Sequence, residues 1–300
     1  MSTARAWIPV AVLAACTSTP RDPHRDDTPT YGSAWVLADE AFRSVLEDER
    51  TMFNATYTDA QVTIGYLPER DLLRAMGSDS VRAVFATVVP GAEQQAYFRT
   101  RNLSPHVEPV LTDAIAMMVS ARCPLDSVDL ERVRTLLGTP AADGNGYFGL
   151  FDDKATGVAR TLVDSLFAGD ASRLTNARAL PGLDSLLAHV ARDPKAIGFV
   201  PFAAISDLDD AQHRARRAGL RVLAVSASPG GRAIAPSQST LADGQYPLRR
   251  NLYMMVVEGK SGLGTGFASF VAGHKGQRII LKRGLAPAHV PAREVMIVNE

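Results

Sequence analysis

The stretch that most constrains this chain is Phe151–Phe167, FDDKATGVARTLVDSLF. An apolar run of Tyr147, Phe148, Leu150 and Phe151 reads as a strand and leads into two aspartates and then Ala155-Thr156-Gly157. Beyond that turn, Val158, Leu162, Val163, Leu166 and Phe167 recur at the spacing of one helix face. Thr156 is placed to cap this helix, and Gly157 lets a ligand come close to the backbone. A strand, a small polar turn and a helix start together make an anion cup. The first amide hydrogens of the helix have no partner inside it, and the aligned peptide dipoles add positive charge there. A turn that merely starts a helix fits the same residues. The rest of the pattern has to separate the two.

From Ala34 onward strands and helices alternate. Strands are expected at Ala34–Leu37, Val62–Tyr66, Val81–Val88, Ala196–Phe202, Leu220–Val225, Asn251–Val257 and Glu294–Val298. After the first strand, Asp39 and Glu40 suit a helix start, with Phe42, Val45, Leu46, Met52 and Phe53 facing inward. Pro68 opens a second helix, Gly91–Arg101 forms a third, and Asp126 or Ser127 caps one carrying Leu130, Val133, Leu136 and Leu137. Later helices are expected over Pro181–Arg192, Gly264–Ala272 and His274–Arg283. Val107–Val119 is a long apolar segment broken by Asp113, suited to cross between lobes. This alternation predicts an α/β fold with mainly parallel sheets and flanking helices. In such sheets ligands sit beyond the carboxyl ends of strands, where Ala38–Glu40, Thr87 and Ala155–Val158 all fall.

The first residues read as an address. Arg5 precedes the apolar run Ala6–Leu13, too short to span a membrane, and the run ends in Leu13-Ala14-Ala15-Cys16. That ending resembles the lipobox of bacterial lipoproteins, in which the signal peptide is cut before a lipid-bearing cysteine. Residues 1–15 are therefore expected to be a signal peptide and Cys16 the lipidation site. Residues 16–33 form a flexible tether rich in Thr, Ser, Pro, Asp and Arg. The mature protein is expected to be exported, on the periplasmic side of a bacterial membrane, with the lipid as its only membrane contact. Cys123, the other cysteine, is expected to be a small buried apolar residue without a disulfide.

Charge and motif content narrow the function classes. Lys+Arg and Asp+Glu number 32 each, so no global basic field holds nucleic acid, and no aromatic residues interleave with Arg214, Arg216 and Arg217. The six histidines are scattered, and none stands at metal-ligand spacing with another His, Cys or carboxylate. Gly259-Lys260-Ser261 is not a P-loop, because residue 254 is Met where that motif needs Gly. No Ser occupies a G-x-S-x-G elbow. Neither a cofactor, a metal nor an enzymatic activity is expected.

At Asp243–Arg250 (DGQYPLRR) and Gly262–Ala288 (GLGTGFASFVAGHKGQRIILKRGLAPA) the chain resembles the phosphate-binding proteins of bacterial phosphate ABC importers, in their compact lipoprotein form. The likeness extends back through Ala196–Phe202, the 152–167 cup, Leu111–Ser120 and the helix from Asp126, covering the chain from about residue 34. It implies a type II periplasmic-binding-protein fold: two α/β lobes closing on a ligand in the cleft between them. Lobe I would comprise residues 34–115 and 225–300, and lobe II residues 116–224. Family phosphate sites use the turn after the first strand, here Ala38 and Asp39, the end of a strand matching Thr87, and a Ser-Gly-Thr cup. Carried over, the cup falls on Thr156, Gly157 and Val158, with Ala155 before it.

The resemblance is incomplete where the ligand would bind. Val158 replaces a hydroxyl and offers only its backbone N–H, and Val88-Val89 stand where the family usually has a charged residue. A hydrogen bond to a charged group is worth about 1.5–3 kcal/mol, so each lost donor weakens binding roughly ten- to a hundredfold. Arg160 in the first turn either compensates or is simply exposed, and Arg250 reads as a structural anchor. The resemblance implies a monomeric solute-binding lipoprotein that captures phosphate or a similar oxyanion for an ABC permease. The alternative is an interaction or signalling lipoprotein with the same fold and a degenerate site.

Overall fold

The structure is a computed structural model describing residues 22, 26–140, 146–154 and 156–291. Cys16 with its signal segment, Ala155 and the strand expected at Glu294–Val298 lie outside the described residues. β1 (Gly32–Asp39) runs into a 3-10 turn, Glu40–Phe42, and then α1 (Arg43–Thr56). Asp39 sets that start, its Oδ1 accepting the amide hydrogen of Ala41 at 3.0 Å. Val45, Leu46 and Phe53 turn inward from α1. Met52, expected beside them, lies at the edge of the stripe and is 48% exposed, and Glu49 takes a buried place instead.

β2 (Ala60–Leu67), α2 (Glu69–Ala75), β3 (Val81–Ala86) and α3 (Ala92–Thr100) continue the alternation. Pro68 directly precedes α2, where its missing N–H costs the helix no bond. β4 is the long strand His106–Ser120. β5 (Ser127–Asp129) then displaces the next helix start, so that Asp129 rather than Asp126 or Ser127 caps α4 (Leu130–Gly138), accepting from Arg132 N at 2.8 Å. β6 (Phe148–Asp152), α5 (Thr156–Phe167), β7 (Ala177–Leu180), α6 (Leu183–Arg192) and β8 (Ala196–Pro201) follow. The chain continues through α7 (Ala211–Arg217), β9 (Leu220–Val222), β10 (Ala224–Ser226), α8 (Gln238–Ala242), β11 (Arg249–Val256), α9 (Leu263–Ala272), α10 (His274–Lys282) and β12 (Ala286–Pro287).

The main sheet has the order β2-β1-β3-β11-β4-β8-β6-β7. It is parallel on both sides, where β1 pairs with β2 and β3, and β6 with β7 and β8. Its centre is antiparallel, with β11 between β3 and β4 and with β4 against β8. β4 belongs to both sides: the stretch from His106 to Ala114 pairs with β11, and the stretch from Ile115 to Ser120 pairs with β8 and β9. All six residues of β8 are buried. At Gly198 a Cβ would lie 2.7 Å from Leu186 and 3.0 Å from Val190, so α6 rests directly on the β8 backbone. On the other side Phe53, Phe85 and Phe267 meet edge to face, with Phe267 centred 5.4 Å from Phe53 and 5.8 Å from Phe85.

Midway along β4, Asp113 stands opposite Arg250 of β11. Arg250 Nε donates to Asp113 Oδ2 at 3.0 Å, Nη2 lies 2.9 Å from the same oxygen, and the two side chains are 3% and 0% exposed. Asp113 Oδ1 accepts the Ala203 amide hydrogen at 2.8 Å. Burial pushes the Asp113 pKa up, against the pull of Arg250. The sequence expectation of Arg250 as a structural anchor agrees with this pairing. Removing one member of a buried pair strands the other charge, which costs about 3–5 kcal/mol. Arg250→Met is expected to lower stability by that order in urea unfolding, and adding Asp113→Leu should recover most of the loss.

Glu49 is fully buried, and neither carboxylate oxygen has a hydrogen-bond partner among the described residues. Burial, with the nearby Asp48 charge adding to it, pushes its pKa up to about 9. The folded form therefore keeps a proton that the unfolded chain releases above the ordinary value of 4.5, and stability falls as pH rises from there toward 9. Glu49→Leu should flatten this decline. Thermal and urea unfolding should show a gain on the order of 2–4 kcal/mol at pH 8 and little gain near pH 4.5.

Candidate functional site

The ends of β1, β3 and β6 lead toward the place where the two sides of the sheet face each other, and the centre of that place is Glu69. It is the first residue of α2, and its side chain is 2% exposed. Arg160 Nε donates to Glu69 Oε1 at 2.6 Å, and Arg160 Nη2 donates to Oε2 at 3.3 Å. The Thr87 amide donates to Oε2 at 3.1 Å, and the Thr87 hydroxyl donates to the same oxygen. Arg160 Nη2 also donates to Thr87 Oγ1 at 3.1 Å, so carboxylate, hydroxyl and guanidinium form a closed ring. These contacts join α2 and the end of β3 to α5, with Glu69 91 residues and Thr87 73 residues before Arg160 in the chain.

Gly157 shows how closely the carboxylate sits against the helix start. A Cβ at that position would lie 2.9 Å from Glu69 Oε2 and from its carboxyl carbon. Only glycine leaves room for this approach. The ligand-admitting role expected of Gly157 is thus filled here by a residue of the chain itself. Thr156, expected to cap α5, is instead its first helical residue, and its Oγ1 accepts the Arg70 amide hydrogen at 3.4 Å across the junction. Val158 packs into the core at 1% exposure. Arg160 is half-buried; burial works against its charge, but the bonds to Glu69 and Asp164 hold its pKa above the ordinary value.

Ala38 and Asp39 end β1 and are completely buried. Asp39 caps the following turn rather than reaching the Glu69 ring, and its Oδ2 has no partner among the described residues. Burial pushes its pKa up to about 7, partly offset by Arg250. A recess of about 330 Å³ adjoins the ring, lined by Thr87, Arg160, Arg249, Asn251 and Tyr253 among others. A separate groove of about 480 Å³ lies between α1 and α6, lined in part by Glu40, Arg43, Asp184 and Arg216. Two of its charge pairs close within each side, Arg43 with Glu40 at 2.7 Å and Arg216 with Asp184 at 3.1 Å, and Asp152 and Lys154 also line it.

Of the residues expected from sequence, Thr87, Thr156, Gly157 and Arg160 converge on one point, while Asp39 and Val158 serve the turn and the core. Glu69 was missed. An acid in the first turn of a helix reads as a partner for the helix dipole, and nothing in its spacing separates that role from the one observed. Chemically, the ring holds one anionic group in a dry position with fixed donors. Among the described residues, no group of three His, Cys, Asp or Glu side chains is placed to hold a metal ion.

Comparison with solved structures gives the same architecture. The chain is similar to a candidate phosphate ABC transporter substrate-binding protein from Clostridium perfringens, solved with bound phosphate. That match has a TM-score of 0.67 and 16% identity and covers 86% of this chain and 100% of the other. An ABC-type phosphate transport receptor from Vibrio cholerae matches with a TM-score of 0.65 and 10% identity, covering 84% and 99%. A possible phosphate binding protein from Planctomyces limnophilus matches with a TM-score of 0.58 and 12% identity, covering 86% and 93%. At these identities the likeness establishes the fold. No curated protein matches the chain. A family described as PBP superfamily domain matches residues 24–275, most of the chain. With the two-sided α/β sheet and the strand shared between its sides, this match settles the assignment: the chain belongs to the PBP superfamily and has the type II periplasmic-binding-protein fold.

Proposed function

We propose that this protein is an exported, Cys16-anchored solute-binding protein that takes phosphate or a similar small oxyanion at the junction of its two lobes. It would pass that ligand to an ABC permease. The observation that carries this reading is the ring itself: Thr87, Arg160 and the Gly157 backbone already surround an anionic group, the Glu69 carboxylate. Guanidinium and hydroxyl donors that hold a carboxylate also suit a tetrahedral oxyanion. The Clostridium perfringens protein of the same fold was solved with bound phosphate, and a Clostridium difficile domain of that fold is named for molybdenum transport.

The same observation favours a second reading, an interaction or signalling lipoprotein whose cup is permanently filled. Calorimetry with phosphate, sulfate and molybdate separates the two. The receptor reading expects saturable heat and a thermal shift with at least one of them, and Thr87→Val should weaken that binding about tenfold by removing one charge-assisted bond. Absence of heat and of thermal shift with all three oxyanions at millimolar concentration would leave the second reading.

A further inference from the structure

Glu69 occupies the position on which Thr87, Arg160 and the Gly157 backbone converge. Its carboxylate is buried, it accepts from the Thr87 amide, the Thr87 hydroxyl and Arg160, and it lies against Gly157 closely enough to exclude a Cβ. Thr87 follows β3, and Arg160 and Gly157 belong to α5, so one side chain satisfies donors from both sides of the junction. The next residue along α2 repeats the link, because the Arg70 amide donates to Thr156 Oγ1 at 3.4 Å. A group that only neutralised Arg160 would have no need of both Thr87 donors or of the space at Gly157. Asp164 already pairs with Arg160, at 2.7 Å, from within the same helix.

We infer that Glu69 is the specificity-determining residue of this site: a tethered carboxylate that takes the ligand's place in the cup, latches the two lobes, and yields only to an oxyanion able to displace it. This inference rests on the oxyanion reading above. A tethered group competes at an effective concentration of order millimolar or higher, and it does not pay the association entropy that a free ion pays. Wild-type protein should therefore bind small oxyanions weakly, and the cup should discriminate against singly charged carboxylates that merely copy Glu69. Phosphate brings more charge and more acceptor oxygens, so it can use the α5 amide hydrogens as well.

The test compares the full mature chain with Glu69→Ala and Glu69→Gln by phosphate calorimetry and small-angle scattering. Glu69→Ala is expected to bind inorganic phosphate at least tenfold more tightly than wild type. Its radius of gyration should increase without added anion and return toward the wild-type value as phosphate or acetate is added. If Glu69→Ala fails to fold, Glu69→Gln preserves the packing and should still show at least a tenfold gain in phosphate affinity. Equal phosphate affinity in wild type and both folded variants overturns the inference and leaves the oxyanion site intact. An unchanged scattering profile for folded Glu69→Ala overturns the latch. No binding of any oxyanion by any of the three proteins overturns both the stand-in role and the receptor reading, and scattering then judges the latch separately.

Discussion

Where β4 passes from one side of the sheet to the other, it carries a charged side chain into a place without solvent. Asp113 is tolerated there because Arg250 stands directly across on β11 and the Ala203 amide meets its other oxygen. This fixes the register of the two crossing strands, since a slip of one residue would turn Arg250 to the other face and leave two charges buried alone. Tyr246, just before β11, adds a second pin: it is fully buried and its hydroxyl donates to Ile115 O at 2.8 Å. The relative placement of β3, β11 and β4 follows, and with it the position of Thr87 at the end of β3 relative to α5.

Given that placement, the amino ends of α2 and α5 come to face one another, linked by Arg70 and Thr156. Two helix starts oriented in this way bring partial positive charges together, and Arg160 adds a full one. A carboxylate between them relieves the repulsion that the topology itself creates. Glu69 does so at the lowest conformational cost, because it stands in the first turn of one of the two helices. Asp39, nearby at the end of β1, caps its own turn and meets the ring only through the like charge of Glu69.

The alternation of strands and helices, the long β4, the helix at Thr156 and the anchoring role of Arg250 were all legible in the sequence, because each rests on local periodicity or on a single strong residue type. The strand β7 was not. Its four residues, ARAL, carry no alternation, and its pairing with β6 comes entirely from tertiary placement. The cap of α4 shifted from Asp126 to Asp129 for a similar reason: a short pairing of β5 with β10 claimed the intervening residues. At the site, the donors could be named from sequence but the acceptor could not. Thr87, Gly157 and Arg160 follow recognisable turns, whereas Glu69 acquires its role only when α2 and α5 are brought together from opposite sides of the sheet.

Hinge closure in a two-lobe protein ordinarily depends on ligand, because inward-facing donors in a closed cleft lose their water and need an acceptor in exchange. If Glu69 is the stand-in inferred above, it supplies that acceptor from within, and closure does not require a solute. A ligand then shifts the open–closed equilibrium only by the difference between its contacts and those of the carboxylate it replaces. The closed shape therefore carries less information about ligand occupancy than it would in a cup left to solvent. A membrane partner that reads shape alone would then meet nearly the same surface with or without solute, and its discrimination would have to come from the surface around α2, which carries Glu69.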